Sequence, residues 1–162
     1  MLQKKICMLG AFSVGKTSLI QRFVSSLFDD KYLTTVGVKI DKKIVELPDK
    51  TMMLMIWDLA GEDDYNSLKL SHLRGASGYI LVVDGTRPKS LEVAIEVHKR
   101  AQEALVDAHF IIALNKADLT DQWMLTDEDM ESLKALGTVV LTSAKNGDNV
   151  ESLFTQLAVG ML

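Results

Sequence analysis

The chain has 162 residues, 48% of them hydrophobic and 25% charged, with a formal net charge of −4. That length predicts one domain, residues 1–162, with a full core, and that composition a soluble globular protein. The acidic balance excludes a general nucleic-acid or anionic-membrane surface, and the single cysteine, Cys7, excludes a disulfide framework.

A lone thiol in an apolar run reads as a small core residue in a reducing compartment, so a cytoplasmic location is expected. No signal peptide is legible, and no apolar stretch approaches the ~18 residues of a membrane span. The segment Ala158-Val159-Gly160-Met161-Leu162 has neither a cysteine nor a basic run. The expectation is therefore no direct membrane anchor in this chain.

In chain order, residues 3–9 read as a buried strand and 16–26 as a helix. Two strands, about 36–47 and 51–58, are joined at Pro48-Asp49-Lys50 as an antiparallel hairpin. Gly78–Asp84 is a continuous apolar run of the kind buried on both faces. Residues 89–105 form an amphipathic helix with Leu91, Ala94, Ile95, His98 and Leu105 on one side. Phe110–Leu114 is another buried strand. Thr126-Asp127-Glu128-Asp129 opens a helix with acid-rich first-turn chemistry, ending near Gly137. Residues 138–142 are the last strand and 148–160 the last helix. The alternation predicts a three-layer α/β domain, mostly parallel with one antiparallel edge strand. Ligands of such sheets lie outside the C-terminal strand ends.

Gly10-Ala11-Phe12-Ser13-Val14-Gly15-Lys16-Thr17 fits G-x-x-x-x-G-K-[ST] between the first strand and the first helix. A glycine loop entering a helix N-terminus aims backbone N–H groups and the positive dipole end at one point. Lys16 adds a mobile positive charge and the Thr17 hydroxyl can ligate a metal. Polyphosphate with Mg²⁺ is the ligand class that matches. At the end of the third strand, Trp57-Asp58-Leu59-Ala60-Gly61 offers a carboxylate for a Mg²⁺-bound water and a glycine N–H for a terminal phosphate.

Asn115-Lys116-Ala117-Asp118 follows the Phe110–Leu114 strand. The Asp118 carboxylate can accept from guanine N1–H and N2–H₂ together, whereas adenine would leave it unpaired. Asn115 can bridge loops, and the Lys116 stem can lie on a purine face. In Thr142-Ser143-Ala144-Lys145 the Ala144 N–H can donate to a purine O6 while Lys145 covers the base. Thr34-Thr35-Val36-Gly37 carries a hydroxyl that could complete a Mg²⁺ shell when a third phosphate is present.

Taken in order, these motifs resemble the Ras-like small GTPases over essentially the whole chain. Thr35-Val36-Gly37-Val38, Trp57-Asp58-Leu59-Ala60-Gly61-Glu62 and Leu73-Arg74-Gly75-Ala76 are nearest in wording to Rab. The resemblance implies a P-loop GTPase domain with a six-stranded sheet of order 2-3-1-4-5-6 and helices on both faces. It implies GTP/GDP and Mg²⁺ as cofactors. Ser13, Val14, Gly15, Lys16, Thr17 and Ser18 would hold the phosphates, with Lys16 on the β- and γ-phosphates. Thr17 and Thr35 would bind Mg²⁺ directly and Asp58 through water, and the Gly61 N–H would sense the γ-phosphate. Phe28 would pack edge-on to a base held by Asn115, Lys116, Asp118, Ser143, Ala144 and Lys145. Lys16, Thr35, Gly61 and Glu62 would carry catalysis. A monomer would meet effector, exchange-factor and activating proteins through loops about 28–40 and 60–75.

Two residues depart from the family pattern, and both touch hydrolysis. Glu62 stands where relatives place a water-orienting glutamine; an ionised Glu accepts but cannot donate. A second negative charge about 5 Å from the γ-phosphate costs roughly 3 kcal/mol at an effective dielectric of 20. Slow hydrolysis, or an unusual pH dependence, is expected. Phe12 fills the usually small third loop position and should hinder an arginine offered by a partner. Glu62, Asp63, Asp64, Asp29 and Asp30 read as a solvated acidic face, Trp57 as a core residue, and Trp57 with Tyr65 as candidate partner contacts. His72, His98 and His109 lack metal-ligand spacing. A GTP-loaded scaffold with negligible turnover stays open, kept alive by Glu62 and Phe12. A P-loop ATPase or nucleotide kinase is opposed by Asn115–Asp118.

Overall fold

The computed structural model describes residues 1–25, 38–59 and 68–162. Its centre is β1, Leu2–Gly10, whose Ile6, Cys7, Met8 and Leu9 are buried. The order from there is α1 (Lys16–Ser25), β2 (Val38–Glu46), β3 (Thr51–Leu59), α2 (Leu70–Leu73) and β4 (Ala76–Asp84). It continues with α3 (Pro88–Ala104), β5 (His109–Asn115), α4 (Asp127–Leu136), β6 (Val139–Leu141) and α5 (Val150–Gly160). One six-stranded sheet has the order β2-β3-β1-β4-β5-β6, with β2–β3 antiparallel and every other pair parallel.

The fold class and topology expected from the sequence are therefore present, with ends shifted by one or two residues. Residues 36 and 37 of the second strand lie outside the described residues. The short α2 was not expected; four residues carry too little periodicity to read.

Burial explains the layers. From Gly78 to Asp84 every residue of β4 is buried, the signature of a strand covered on both faces. Successive side chains point to opposite faces. A Cβ on Gly78 would lie 2.8 Å from Met161 Sδ and 3.2 Å from Leu157 Cδ1, so that face meets α5. The next residue, Tyr79, meets His98 of α3 on the other. Phe23 of α1 stacks on Phe154 of α5, centroids 4.1 Å apart and 4° from parallel, so α1 and α5 share a face. Such a stack adds about 0.5–1.5 kcal/mol beyond the area it buries.

On α3 the buried stripe includes Leu91, Ala94 and His98 as expected, together with Ser90, Val93, Val97 and Ala101. Ile95 and Leu105 are half-buried at its border. Thr126 caps α4 as read from its sequence: Thr126 Oγ1 accepts from the Asp129 N–H (3.1 Å), and Asp129 Oδ2 accepts from the Thr126 N–H (2.9 Å). Cys7 is a core residue whose thiol burial pushes up to about 12, so it stays protonated and inert. Among the described residues no helix is long and apolar enough to cross a membrane.

Candidate nucleotide-binding site

The site forms where the C-terminal ends of β1, β3, β4 and β5 open toward the loop at residues 10–17. Gly10 and Gly15 are there for conformation and for space. Gly15 has φ +103, and a Cβ on it would lie 2.2 Å from Asn115 Nδ2. Gly10 has φ +150, and its Cβ would lie 2.6 Å from the Val82 carbonyl oxygen. Ser13 takes φ 62 without being glycine, a conformation that surrounding contacts must hold.

Those contacts come from three directions. The Lys16 Nζ donates to the carbonyls of Gly10 (3.1 Å) and Ala11 (3.0 Å), and the residue is 5% exposed. Asn115 Nδ2 donates to the Val14 carbonyl at 2.9 Å, and Asn115 Oδ1 accepts from Thr142 Oγ1 at 3.1 Å. Lys116 Nζ donates to the Ser13 carbonyl at 3.1 Å and pairs with Asp84 Oδ2 at 2.7 Å. Lys116 itself sits at φ 67. Arg87 Nη1 donates to the Phe12 carbonyl. The Phe12 side chain is partly exposed, at 40%.

Thr17 Oγ1 donates to Asp58 Oδ2 at 2.6 Å, joining the first turn of α1 to the end of β3. Asp58 is 1% exposed. A hydroxyl and a carboxylate are hard oxygen donors, the set that suits Mg²⁺ when phosphate oxygens and water complete its octahedron. Ser18 follows, half-buried, in the same turn.

The loops after β5 and β6 are equally connected. Asp118 Oδ1 accepts from Ser143 Oγ at 2.8 Å, and that hydroxyl oxygen accepts from the Asn146 N–H at 3.0 Å. Ala117 N–H donates to the Thr142 carbonyl at 3.0 Å, locking the 115–118 loop to the end of β6. Ala144 is buried and Lys145 exposed beside it. The structure therefore brings Ser13, Val14, Gly15, Lys16, Thr17, Ser18, Asp58, Asn115, Lys116, Asp118, Ser143, Ala144 and Lys145 to one end of the sheet. Phe28, Thr35, Gly61 and Glu62 lie outside the described residues, as do Tyr65 and the acids 29, 30, 63 and 64. Trp57 is half-buried rather than a core residue, with the Lys5 ammonium 3.6 Å from its ring centroid.

Sequence reasoning gave no role to Asp84, to Thr142 within its motif, or to Arg87. Asp84 ends a buried strand at the ligand end of the sheet, a readable signal; Arg87 belongs to no motif.

The sequence model of the Ras family matches residues 5–162. The chain is 33% identical over 156 residues to the Ras-related protein SEC4 of Saccharomyces cerevisiae, covering 95% of this chain and 73% of that protein. Members of this family are GTPases that bind GTP or GDP with Mg²⁺ and meet effector, exchange and activating proteins. On its fold, its phosphate loop and these matches, the chain belongs to the Ras family of small GTPases and is Rab-like.

Proposed function

We propose that this chain is a Mg²⁺-dependent GTP-binding switch that hydrolyses GTP slowly to GDP. Its state would be read through loops about 28–40 and 60–75. The observation that carries the reading is the Asn115 side chain, which holds the phosphate loop at Val14 and the Ser143–Lys145 loop through Thr142. A ligand spanning both needs a purine at one end and a polyphosphate at the other.

In this reading the backbone of residues 13–18 and the Lys16 ammonium hold the phosphates. Thr17 and Thr35 bind Mg²⁺ directly and Asp58 through water, and the ion neutralises charge between the β- and γ-phosphates. Asp118 accepts from guanine N1–H and N2–H₂, Ala144 donates to O6, and Ser143 keeps the carboxylate in place. Lys116, Lys145 and Phe28 surround the base. Gly61 senses the γ-phosphate, and Glu62 can accept from the attacking water but not donate to the phosphate. The chain works as a monomer in the cytoplasm, and its net charge of −4 speaks against a nucleic-acid partner.

Two hydrogen bonds to a carboxylate, about 1.5–3 kcal/mol each, predict a guanine preference of roughly 10²–10⁴-fold. Competition of GTP, ATP and XTP against fluorescent GDP tests this. GTP should displace it at concentrations at least 100-fold lower than ATP, and Asp118→Asn should move the preference toward XTP, whose C2 carbonyl accepts. Equal displacement by ATP rules the reading out.

A further inference from the structure

Five consecutive carbonyls of the phosphate loop are each engaged by a side chain. Lys16 takes Gly10 and Ala11, Arg87 takes Phe12, Lys116 takes Ser13, and Asn115 takes Val14. No cis peptide bond is present among the described residues. In a trans peptide the C=O of one residue and the N–H of the next point in opposite directions. Drawing the Phe12, Ser13 and Val14 carbonyls outward therefore turns the N–H groups of Ser13, Val14 and Gly15 the other way. Lys116 and Asn115 come from the base side. Arg87 comes from the turn between β4 and α3, 75 residues from Phe12 in sequence.

That turn fixes the backbone from which the Arg87 side chain reaches out. Arg87 N–H donates to the Asp84 carbonyl at 3.0 Å, and Ser90 Oγ donates to the Arg87 carbonyl at 2.7 Å. Asp84 Oδ1 accepts from the Thr86 N–H at 2.8 Å, while Asp84 Oδ2 is paired with Lys116. Pro88 fixes the first residue of α3. Ser13 then lies between two anchored peptides, Phe12–Ser13 by Arg87 and Ser13–Val14 by Lys116. This explains how a non-glycine residue keeps φ 62, a strained conformation.

We propose that Arg87 is a positioning residue for the nucleotide: by holding the Phe12 carbonyl it presents the Ser13 N–H to the phosphates. The assignment rests on the guanine-nucleotide reading above. A guanidinium is always charged and hydrogen bonds to charged groups are the stronger kind, so the grip on the peptide is firm. The role is separate from the base: the 115–118 loop, not Arg87, selects guanine.

The test is the dissociation rate of fluorescent GDP from wild type, Arg87→Ala, Arg87→Met and Arg87→Lys, with the ³¹P spectrum of bound GDP. Arg87→Met keeps the aliphatic stem and separates lost packing from the lost donor. Dissociation should be about tenfold faster in the Ala and Met variants, one charge-assisted hydrogen bond at the low end of its range. Arg87→Lys, which keeps a charged donor, should fall between these and wild type. The GDP phosphate resonances should shift in the Ala and Met variants, and the preference for GTP over ATP should not change. GDP release within twofold of wild type in both variants overturns the proposal. So does faster release with unmoved ³¹P resonances and a lowered unfolding midpoint of the nucleotide-free protein, because that marks a merely structural arginine. If the Ala variant fails to fold, the Met and Lys variants decide. Failure of wild type itself to bind GDP strikes the guanine-nucleotide reading instead.

Discussion

The Tyr79 hydroxyl and His98 Nδ1 lie 2.9 Å apart, joining β4 to α3 inside the core. Phe110 closes the cluster, its ring centroid 4.4 Å from that of His98 and 5.5 Å from that of Tyr79. His98 is 3% exposed, and burial lowers its pKa below the ordinary 6.5. The unfolded chain therefore takes up this proton more readily than the folded one. Stability from the neutral imidazole is present above pH 6.5 and declines as pH falls toward the folded value. Urea midpoints measured from pH 8 to pH 5 should fall more steeply in wild type than in His98→Gln, and parallel curves would exclude this account. At the other extreme, burial pushes Tyr79 from 10.0 to about 12, so stability should be lost as pH rises above 10.

Gly85 is buried against Trp123: a Cβ there would lie 2.1 Å from the indole ring. The glycine also donates to the Asn115 carbonyl (3.2 Å) and accepts from the Met124 N–H (2.9 Å), so it cannot retreat. Gly85→Ala should destabilise by about 1–3 kcal/mol through overpacking. In a Trp57→Phe background, leaving Trp123 as the indole reporter, its emission should shift to the red as the ring is displaced. An unchanged spectrum with an unchanged unfolding midpoint would contradict the packing.

Thr17→Ala removes the hydroxyl bonded to Asp58. With Mg²⁺ present, GDP affinity should fall at least tenfold, about 1.4 kcal/mol or more. In excess EDTA the variant and wild type should converge. Equal loss with and without Mg²⁺ would show that Thr17 acts on the fold rather than on the ion.

Much of this was legible because the signals are local. The phosphate loop, the buried run of β4 and the Thr126 cap each lie within ten residues of sequence. Lys16, Asn115 and Asp118 stood out because each residue type fits one chemistry at the end of the sheet where the structure gathers them. Arg87 was not, since its partner lies far off in sequence and a carbonyl bond leaves no side-chain pattern to match. The half-burial of Trp57 was equally hidden. The alternation in β3 buries Met52, Leu54, Ile56 and Asp58 and leaves Met53, Met55 and Trp57 on the less covered face, whatever their hydrophobicity.

Glu62 adjoins the proposed γ-phosphate sensor, Gly61. If its charge opposes the chemistry, single-turnover GTP hydrolysis by wild type should change with pH between 5 and 8. Glu62→Gln should be flatter and about tenfold faster, a gain of about 1.4 kcal/mol. This lies within the roughly 3 kcal/mol of repulsion expected at about 5 Å. Superimposable profiles would remove Glu62 from the account.

The Lys116 ammonium sits 2.7 Å from a carboxylate that is fully buried, and 3.1 Å from the Ser13 carbonyl. Compensated at contact distance, it has the short-ranged field of a dipole rather than the reach of a charge. It therefore contributes little to drawing a free anion in from solvent. What it sets is a length: with Asp84 as its footing, Lys116 is a strut that keeps the loop after β5 and the loop before α1 a fixed span apart.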